Sequence, residues 1–246
     1  MKTVLITGCS SGFGLETARY FLDRDWDVVA TMRTPRADLL PSSPRLRVLA
    51  LDVTDAESIH RAVEAARRID VLVNNAGIGL LGAFEATSME TVREIFETNT
   101  YGTMALVRAV LPQLRERRSG VIVNVTSTVT LRPMLLLAAY TASKAAINAF
   151  TESLALELEP FDIQVRLVLP GRSPETQFAE NARPRLQRSI SQPYAALAQG
   201  LLARMSEPAP FTRSLDVAEA VWQAANDPSS PMRIPAGADA VALAAV

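Results

Sequence analysis

Val4–Thr7, a short run of strand-forming residues, passes directly into Gly8-Cys9-Ser10-Ser11-Gly12-Phe13-Gly14 and then into the helical pattern Leu15–Arg24. No other feature constrains the fold as strongly. The glycines let the backbone turn tightly and approach a ligand. The helix that follows presents free N–H groups and the positive end of its dipole to an anion. Further strand-like runs fall at Val28–Thr31, Leu46–Leu51, Val71–Val73, Val121–Val125 and Gln164–Leu169. Between them lie the helical stretches Asp55–Arg68, Thr91–Arg118 and Ala139–Glu159. Strands alternating with helices of about ten residues or more form βαβ units, which demand a parallel sheet. The runs are almost continuously apolar, as strands covered on both faces are. Thr54 with Glu57 and Thr87 with Glu90 have the spacing of capping boxes ahead of two of the helices.

Composition narrows the class. The 246 residues allow one or two domains, and with no Gly/Ser/Pro-rich linker the expectation is a single α/β domain over 1–246. Apolar residues at 48% and charged residues at 21% exclude global disorder. A net charge of −1 lacks the basic excess of a nucleic-acid binder. The cluster Arg115, Arg117, Arg118 reads instead as a helix C-terminus complementing its dipole. One cysteine, Cys9, and one histidine, His60, exclude a disulfide framework and Cys- or His-rich metal sites, and argue against a Ser-His-Asp triad. No apolar run approaches the roughly 18 residues of a membrane span, and the opening run is too short for a signal peptide. The expectation is a soluble cytoplasmic protein. Arg172–Arg213 carries Pro174, Pro184, Pro193, Pro208 and Pro210 and no clean strand pattern. It reads as an excursion outside the sheet that covers a site. The segment Met232–Val246 reads as a last edge strand or a subunit contact.

A strand, a glycine turn and a helix at the start of a βαβ unit point to a dinucleotide pyrophosphate. Gly8, Ser10, Ser11, Gly12, Phe13 and Gly14 are the residues placed to hold it. The spacing is Gly-x-x-x-Gly-x-Gly, and no Lys-Ser or Lys-Thr follows, so the turn is not a P-loop. The end of the second strand reaches the adenosine ribose, where an NAD site often places a carboxylate. Here the residues are Ala30-Thr31-Met32-Arg33. Met32 occupies the acid position, and the guanidinium of Arg33 suits a 2′-phosphate, which favours NADP(H).

Tyr140 and Lys144 are four residues apart on a predicted helix, so phenol and ammonium share one face. The chain has two lysines against 23 arginines, and it places one of the two here. A tyrosine titrates near about 10, about 4 kcal/mol from neutrality. A cation at about 4 Å supplies a comparable energy at an effective dielectric of about 20. Lys144, with an oxidised nicotinamide ring, is therefore expected to lower Tyr140 into the range of a general acid-base catalyst. Ser127 follows the fifth strand run, at the end that opens into a ligand crevice. Asn99 interrupts a helical stretch, where its type is disfavoured, which suggests a role inside the fold.

With these residues in order, the chain resembles the short-chain dehydrogenase/reductase family from about Lys2 to Gly237. The motifs are Thr7–Gly14, Asn74-Asn75-Ala76-Gly77, Asn99-Thr100-Tyr101-Gly102, Ser127 with Tyr140 and Lys144, and Pro170-Gly171. The resemblance implies a Rossmann-type doubly wound parallel sheet with helices on both faces. It implies that Asn99, Ser127, Tyr140 and Lys144 form a catalytic tetrad: Tyr140 moves the proton, Ser127 orients the carbonyl, Lys144 binds the nicotinamide ribose, and Asn99 holds a water. It places Asp52 and Val53 by the adenine, and Asn75, Ala76 and Gly77 by the ribose. Cys9-Ser10-Ser11, Ala30–Arg33 and Gly79-Leu80-Leu81-Gly82 are most similar to the 17β-hydroxysteroid and retinol dehydrogenase branch, which favours NADP and bulky apolar substrates.

The sequence departs from the family at Glu175, where a carboxamide-binding Thr usually stands; Thr176 comes one residue later. It also lacks a long C-terminal extension after Gly237. The implied function is an NADP(H)-dependent ketone reductase or secondary alcohol dehydrogenase acting on a small-molecule carbonyl or alcohol. Thr128–Leu137 and the 172–213 excursion are its candidate pocket walls, with Leu135, Leu136, Leu137, Phe178 and Tyr194 as apolar lining. A homodimer or homotetramer through the helices Thr91–Arg118 and Ala139–Glu159 is expected. The alternatives are a non-catalytic NADP-sensing or scaffold protein and a sugar-nucleotide epimerase or dehydratase.

Overall fold

The computed structural model describes residues 2–245 other than 179, 183, 184 and 186–189. Pro184 lies outside the described residues. Seven strands, β1 (Thr3–Ile6), β2 (Asp27–Met32), β3 (Leu46–Ala50), β4 (Val71–Asn74), β5 (Gly120–Val125), β6 (Ile163–Pro170) and β7 (Arg233–Ala236), form one sheet in the order β3-β2-β1-β4-β5-β6-β7. Every pairing is parallel. The expected edge strand in the final segment is thus β7, and it is followed by a helix.

The strands' period of two divides their side chains between two apolar layers. Val4, Ile6, Val28, Ala30, Val71, Val73 and Val123 pack on one face with Phe21, Val217 and Val221. The last three lie on α1 (Gly12–Leu22) and α7 (Ser214–Asn226). Leu5, Val29, Leu72, Ile122 and Val165 pack on the other face with Ile59, Leu106, Val110 and Leu154. These belong to α2 (Ala56–Ala66), α4 (Gly102–Arg117) and α5 (Ala138–Leu158). Burying each such side chain contributes roughly 1.5–3 kcal/mol, and a slip of one residue would turn every strand the wrong way. The register is therefore fixed by burial. Strand order reverses between β1 and β4, which opens a crevice at their C-terminal ends.

Three local expectations need correction. The N-cap of α2 is Asp55, whose carboxylate accepts from Glu57 N–H, while Thr54 donates to Asp52 instead. Ser88, not Thr87, caps α3 (Met89–Phe96), and Thr87 donates back to Ala83. In both places neighbouring cap-forming residues compete, and the spacing alone selects the wrong one. The predicted single helix Thr91–Arg118 is two helices, α3 and α4, joined by a π-helical turn at Glu97–Tyr101. The excursion contains α6 (Ala195–Ser206), and a short α8 (Ala238–Ala244) follows β7. No helix among the described residues is long and apolar enough to cross a membrane.

Candidate active site

The crevice is built first by Thr7, at the end of β1. Its hydroxyl accepts from the N–H groups of Asn75 and Ala76, both at 2.9 Å. The Asn75 amide donates to the Thr7 carbonyl at 2.9 Å. These bonds lock the turn after β4 against the glycine turn after β1. Gly8 has φ +74° and Gly12 φ +55°, a region that L side chains rarely enter. A Cβ on Gly14 would lie 2.4 Å from the Gly8 carbonyl oxygen, so α1 can start here only with glycine. Ser11 is the N-cap of α1 without a side-chain capping bond, and the first turn holds no acidic residue. A tight cradle under an uncapped, uncharged helix start fits a pyrophosphate.

Past the end of β3, Asp52 accepts from Thr54 N–H and Oγ1 at 2.9 and 2.7 Å. The backbone bond from Thr54 is the largest influence holding its carboxyl below the usual range, and the charge of Arg33 contributes. Arg33 is exposed and also helps hold Glu94 ionised. Met32 is only 3% exposed, among the apolar residues under α1. A carboxylate substituted there would have to be accommodated in that layer. Val53 packs instead on the start of α4, where a Cβ on Gly102 would lie 2.8 Å from its carbonyl oxygen.

The π-helical turn explains Asn99. It places the side chain, 1% exposed, against the chain leaving β4. Its Oδ1 accepts from Ile78 N–H at 2.8 Å, and its Nδ2 donates to the Ile78 carbonyl at 3.0 Å and to Ser143 Oγ at 3.2 Å. Thr100 donates to the Ser143 carbonyl at 3.0 Å, tying the same turn to α5. Tyr140 and Lys144 lie one turn apart on α5, both buried. The Lys144 ammonium donates to the Val125 carbonyl at 3.1 Å, and burial pushes its pKa down to about 8. A Cβ on Gly77 would lie 3.2 Å from Asn99 Oδ1 and 3.4 Å from Lys144 Nζ. The structure thus brings Gly77, Asn99 and Lys144 together.

Ser127 ends the β5 exit, its Oγ accepting from Val129 N–H at 3.3 Å, and it hydrogen-bonds Tyr140. The expected lowering of Tyr140 meets an opposing effect. Burial pushes the phenol above its ordinary value, and the Ser127 bond pulls it only partly back. Burial disfavours the charged phenolate, while the Lys144 ammonium donates to the Val125 carbonyl.

Gly171, after β6, donates to Thr212 Oγ1 at 2.9 Å, and Arg172 N–H donates to Asp239 Oδ2 at 2.7 Å. The Thr212 hydroxyl has Ala236 O and Asp239 Oδ1 within 2.8 and 2.7 Å as acceptors. Thr212 and Asp239 were not legible as site-building residues, because their pairing joins positions far apart in sequence. Beyond Gly171, Thr176 is buried while Glu175 is exposed. The Thr176 methyl would lie 3.2 Å from a Cβ on Gly12, so Thr176 is the one that meets the glycine turn.

A doubly wound parallel sheet carries the glycine cradle at its switch point, with Ser127 at the β5 exit and Tyr140 and Lys144 on α5. The short chain dehydrogenase family model matches residues 2–187, and the chain belongs to that family. Retinol dehydrogenase 8 of Bos taurus is 41% identical over 184 residues, covering 69% of this chain and 58% of that enzyme. The chain thus spans a little over half the length of that relative. A short chain dehydrogenase from Burkholderia cenocepacia in complex with NADP matches with 27% identity and TM-score 0.79, covering 100% of this chain and 93% of that one. A 3-ketoacyl-(acyl-carrier-protein) reductase from Brucella melitensis complexed with NADH matches with 28% identity and TM-score 0.76, covering 95% of each.

Proposed function

We propose that the chain is an NADP(H)-dependent ketone reductase and secondary alcohol dehydrogenase for an apolar substrate. The observation that carries this is the burial of Ser127 with Tyr140, and of Lys144 one helical turn further along α5 against Gly77. When bound, the dinucleotide supplies or accepts the hydride at the carbonyl carbon. Gly8, Ser10, Ser11, Gly12, Phe13 and Gly14 hold its pyrophosphate by backbone N–H groups and the α1 dipole. Arg33 takes the 2′-phosphate, and Asp52 and Val53 border the adenine. Asn75, Ala76 and Gly77 line the ribose, with Pro170, Gly171 and Thr176 at the nicotinamide end.

In reduction, Ser127 orients the carbonyl oxygen by a hydrogen bond and Tyr140 donates its phenolic proton to that oxygen as the alkoxide forms. A phenol held above its usual pKa remains protonated at neutral pH, the state a general acid requires. The resulting phenolate is stabilised by the Lys144 cation, and Asn99 holds the chain after β4 against α5 so that the ribose and substrate sides keep their spacing. The whole of 1–246 then acts as one dinucleotide-binding and catalytic domain. Tyr101 and Leu156, exposed on the π turn and α5, are residues that a homo-oligomer would cover.

The test is oxidation of NADPH and of NADH by purified protein against ketones from small aliphatic to steroid-sized, with Tyr140→Phe alongside. Turnover that prefers NADPH and is lost in Tyr140→Phe is expected. Cofactor binding without turnover on any ketone would favour the sensing alternative. Failure to bind either dinucleotide would overturn the assignment of the glycine turn.

A further inference from the structure

Phe178 packs against Tyr140. The two ring centroids are 5.9 Å apart at an interplanar angle of 59°. Phe178 is 40% exposed, whereas Tyr140 is 7% exposed. The more exposed Phe178 ring thus packs against the buried Tyr140 ring. It fits there because residue 79 is glycine: a Cβ on Gly79 would lie 2.7 and 2.9 Å from Phe178 Cε1 and Cζ, and 3.3 Å from the Ala182 Cβ. Any side chain at 79 would displace the ring. Ile78, Leu80, Ile95, Val129 and Leu137 cluster with Tyr140 and supply its apolar neighbours.

The segment bearing Phe178 is also held at both ends. Thr176 packs on Gly12. Arg185 makes a two-pronged ion pair with Glu94 of α3, and Tyr194 donates to Glu85 at 2.7 Å. Two contacts to one flank and one to the glycine turn keep the ring over the phenol. A ring so placed limits how large a group can sit beside Tyr140 and keeps water from it.

We propose that Phe178, seated in the space left by Gly79, is the specificity-determining wall of the site and sets the size of the apolar substituent admitted beside Tyr140. This rests on Tyr140 being the proton donor. A single methylene in an apolar pocket shifts selectivity by about 10- to 200-fold, so removing a ring has ample leverage. In Phe178→Ala the ratio of kcat/KM for a bulky ketone to that for a small one rises about tenfold or more. Gly79→Ala shifts the ratio in the same direction by displacing the ring. In the double variant, Gly79→Ala has no ring left to displace and adds little, so the two effects are not additive.

The measurement is this double-mutant cycle with NADPH and two ketones, on variants first checked for native circular dichroism and melting. A second readout needs no turnover: 19F NMR of protein labelled with 3-fluorotyrosine, the Tyr140 signal assigned with Tyr140→Phe. In Phe178→Ala that signal gains a larger H2O/D2O solvent isotope shift, while those of Tyr20 and Tyr101 stay put. A size ratio unchanged within about twofold, additive effects of the two substitutions, or an unmoved Tyr140 signal would each overturn the proposal even if Tyr140→Phe abolishes turnover. A wild type that binds NADPH and reduces no ketone removes the proton-donor role itself, and the size filter falls with it.

Discussion

The buried ammonium of Lys144 should leave a mark on stability that has nothing to do with turnover. Its pKa is pushed down to about 8 by burial, whereas an unfolded lysine titrates near about 10.4. Between those values the unfolded chain binds a proton that the native chain has released, so stability rises with pH. The sign is opposite to that of a lysine paired with a carboxylate. The gap corresponds to about 3 kcal/mol at about 1.36 kcal/mol per unit. Cys9 opposes it. Its thiol, 0% exposed, is pushed up to about 12 by burial, against about 8.5 when unfolded.

From about pH 8.5 upward the unfolded chain loses a thiol proton that the native chain keeps, and stability falls by a similar slope. Above about pH 10 the raised Tyr140 adds a further decline. The wild type should therefore show a small rise from about pH 8, a plateau, and a fall above about 10. Cys9→Ala removes the opposing slope and should gain about 2 kcal/mol between about pH 8 and 10. Cys9→Ala with Lys144→Met should stay flat over that interval. Urea denaturation of both variants at closely spaced pH, without added dinucleotide, gives the two slopes. If they agree within about 0.5 kcal/mol, burial does not set the Lys144 proton equilibrium.

Other outcomes follow from single contacts. Asn99→Ala removes three hydrogen bonds, leaves both polar groups of the Ile78 backbone without that partner, and should lower urea-unfolding stability by about 3 kcal/mol. Arg33→Gln should weaken NADPH binding by about 10- to 100-fold, with NADH changed little, in a fluorescence titration. That difference should shrink at high salt, because Arg33 is exposed; equal losses for both dinucleotides would remove Arg33 from the 2′-phosphate. Asp239→Ala should reduce kcat/KM several-fold while Tyr140 and Lys144 stay in place, since it frees the Arg172 N–H that holds the strand-β6 exit. An unaffected kcat/KM would show that the exit keeps its shape without that bond.

Much of this molecule was legible because the relevant forces are local or periodic. The βαβ alternation, the two-faced burial of Val4, Leu5 and Ile6, and the glycine turn follow from chain geometry and apolar period alone. Tyr140 and Lys144 were legible because four residues make one helical turn. Helix starts were less so: Asp55 and Ser88 each sit beside another residue able to cap. The π turn at Glu97–Tyr101 was hidden because it shifts the helical period by one residue, although the disfavoured Asn99 marked its centre. The lowering of Tyr140 was expected from Lys144 together with an oxidised nicotinamide ring; in the protein alone, burial outweighs the Ser127 hydrogen bond and holds the phenol above its ordinary value.

The floor of the site shows why the remainder was out of reach. Pro170-Gly171 is held by Thr212 and Asp239, from the end of the excursion and the start of α8. The Thr212 hydroxyl has one proton and two nearby acceptors, Ala236 O and Asp239 Oδ1. While it serves either, it still accepts from Gly171 N–H. Asp239 also takes the next N–H, that of Arg172. A Cβ on Gly171 would fall 2.1 Å from Asp239 Oδ2, so the glycine leaves room for the carboxylate that secures it. Gly171, Arg172, Thr212, Ala236 and Asp239, spread over the last third of the chain, thus fix one turn. Their spacing follows no helix or strand period, and only the assembled fold brings them together.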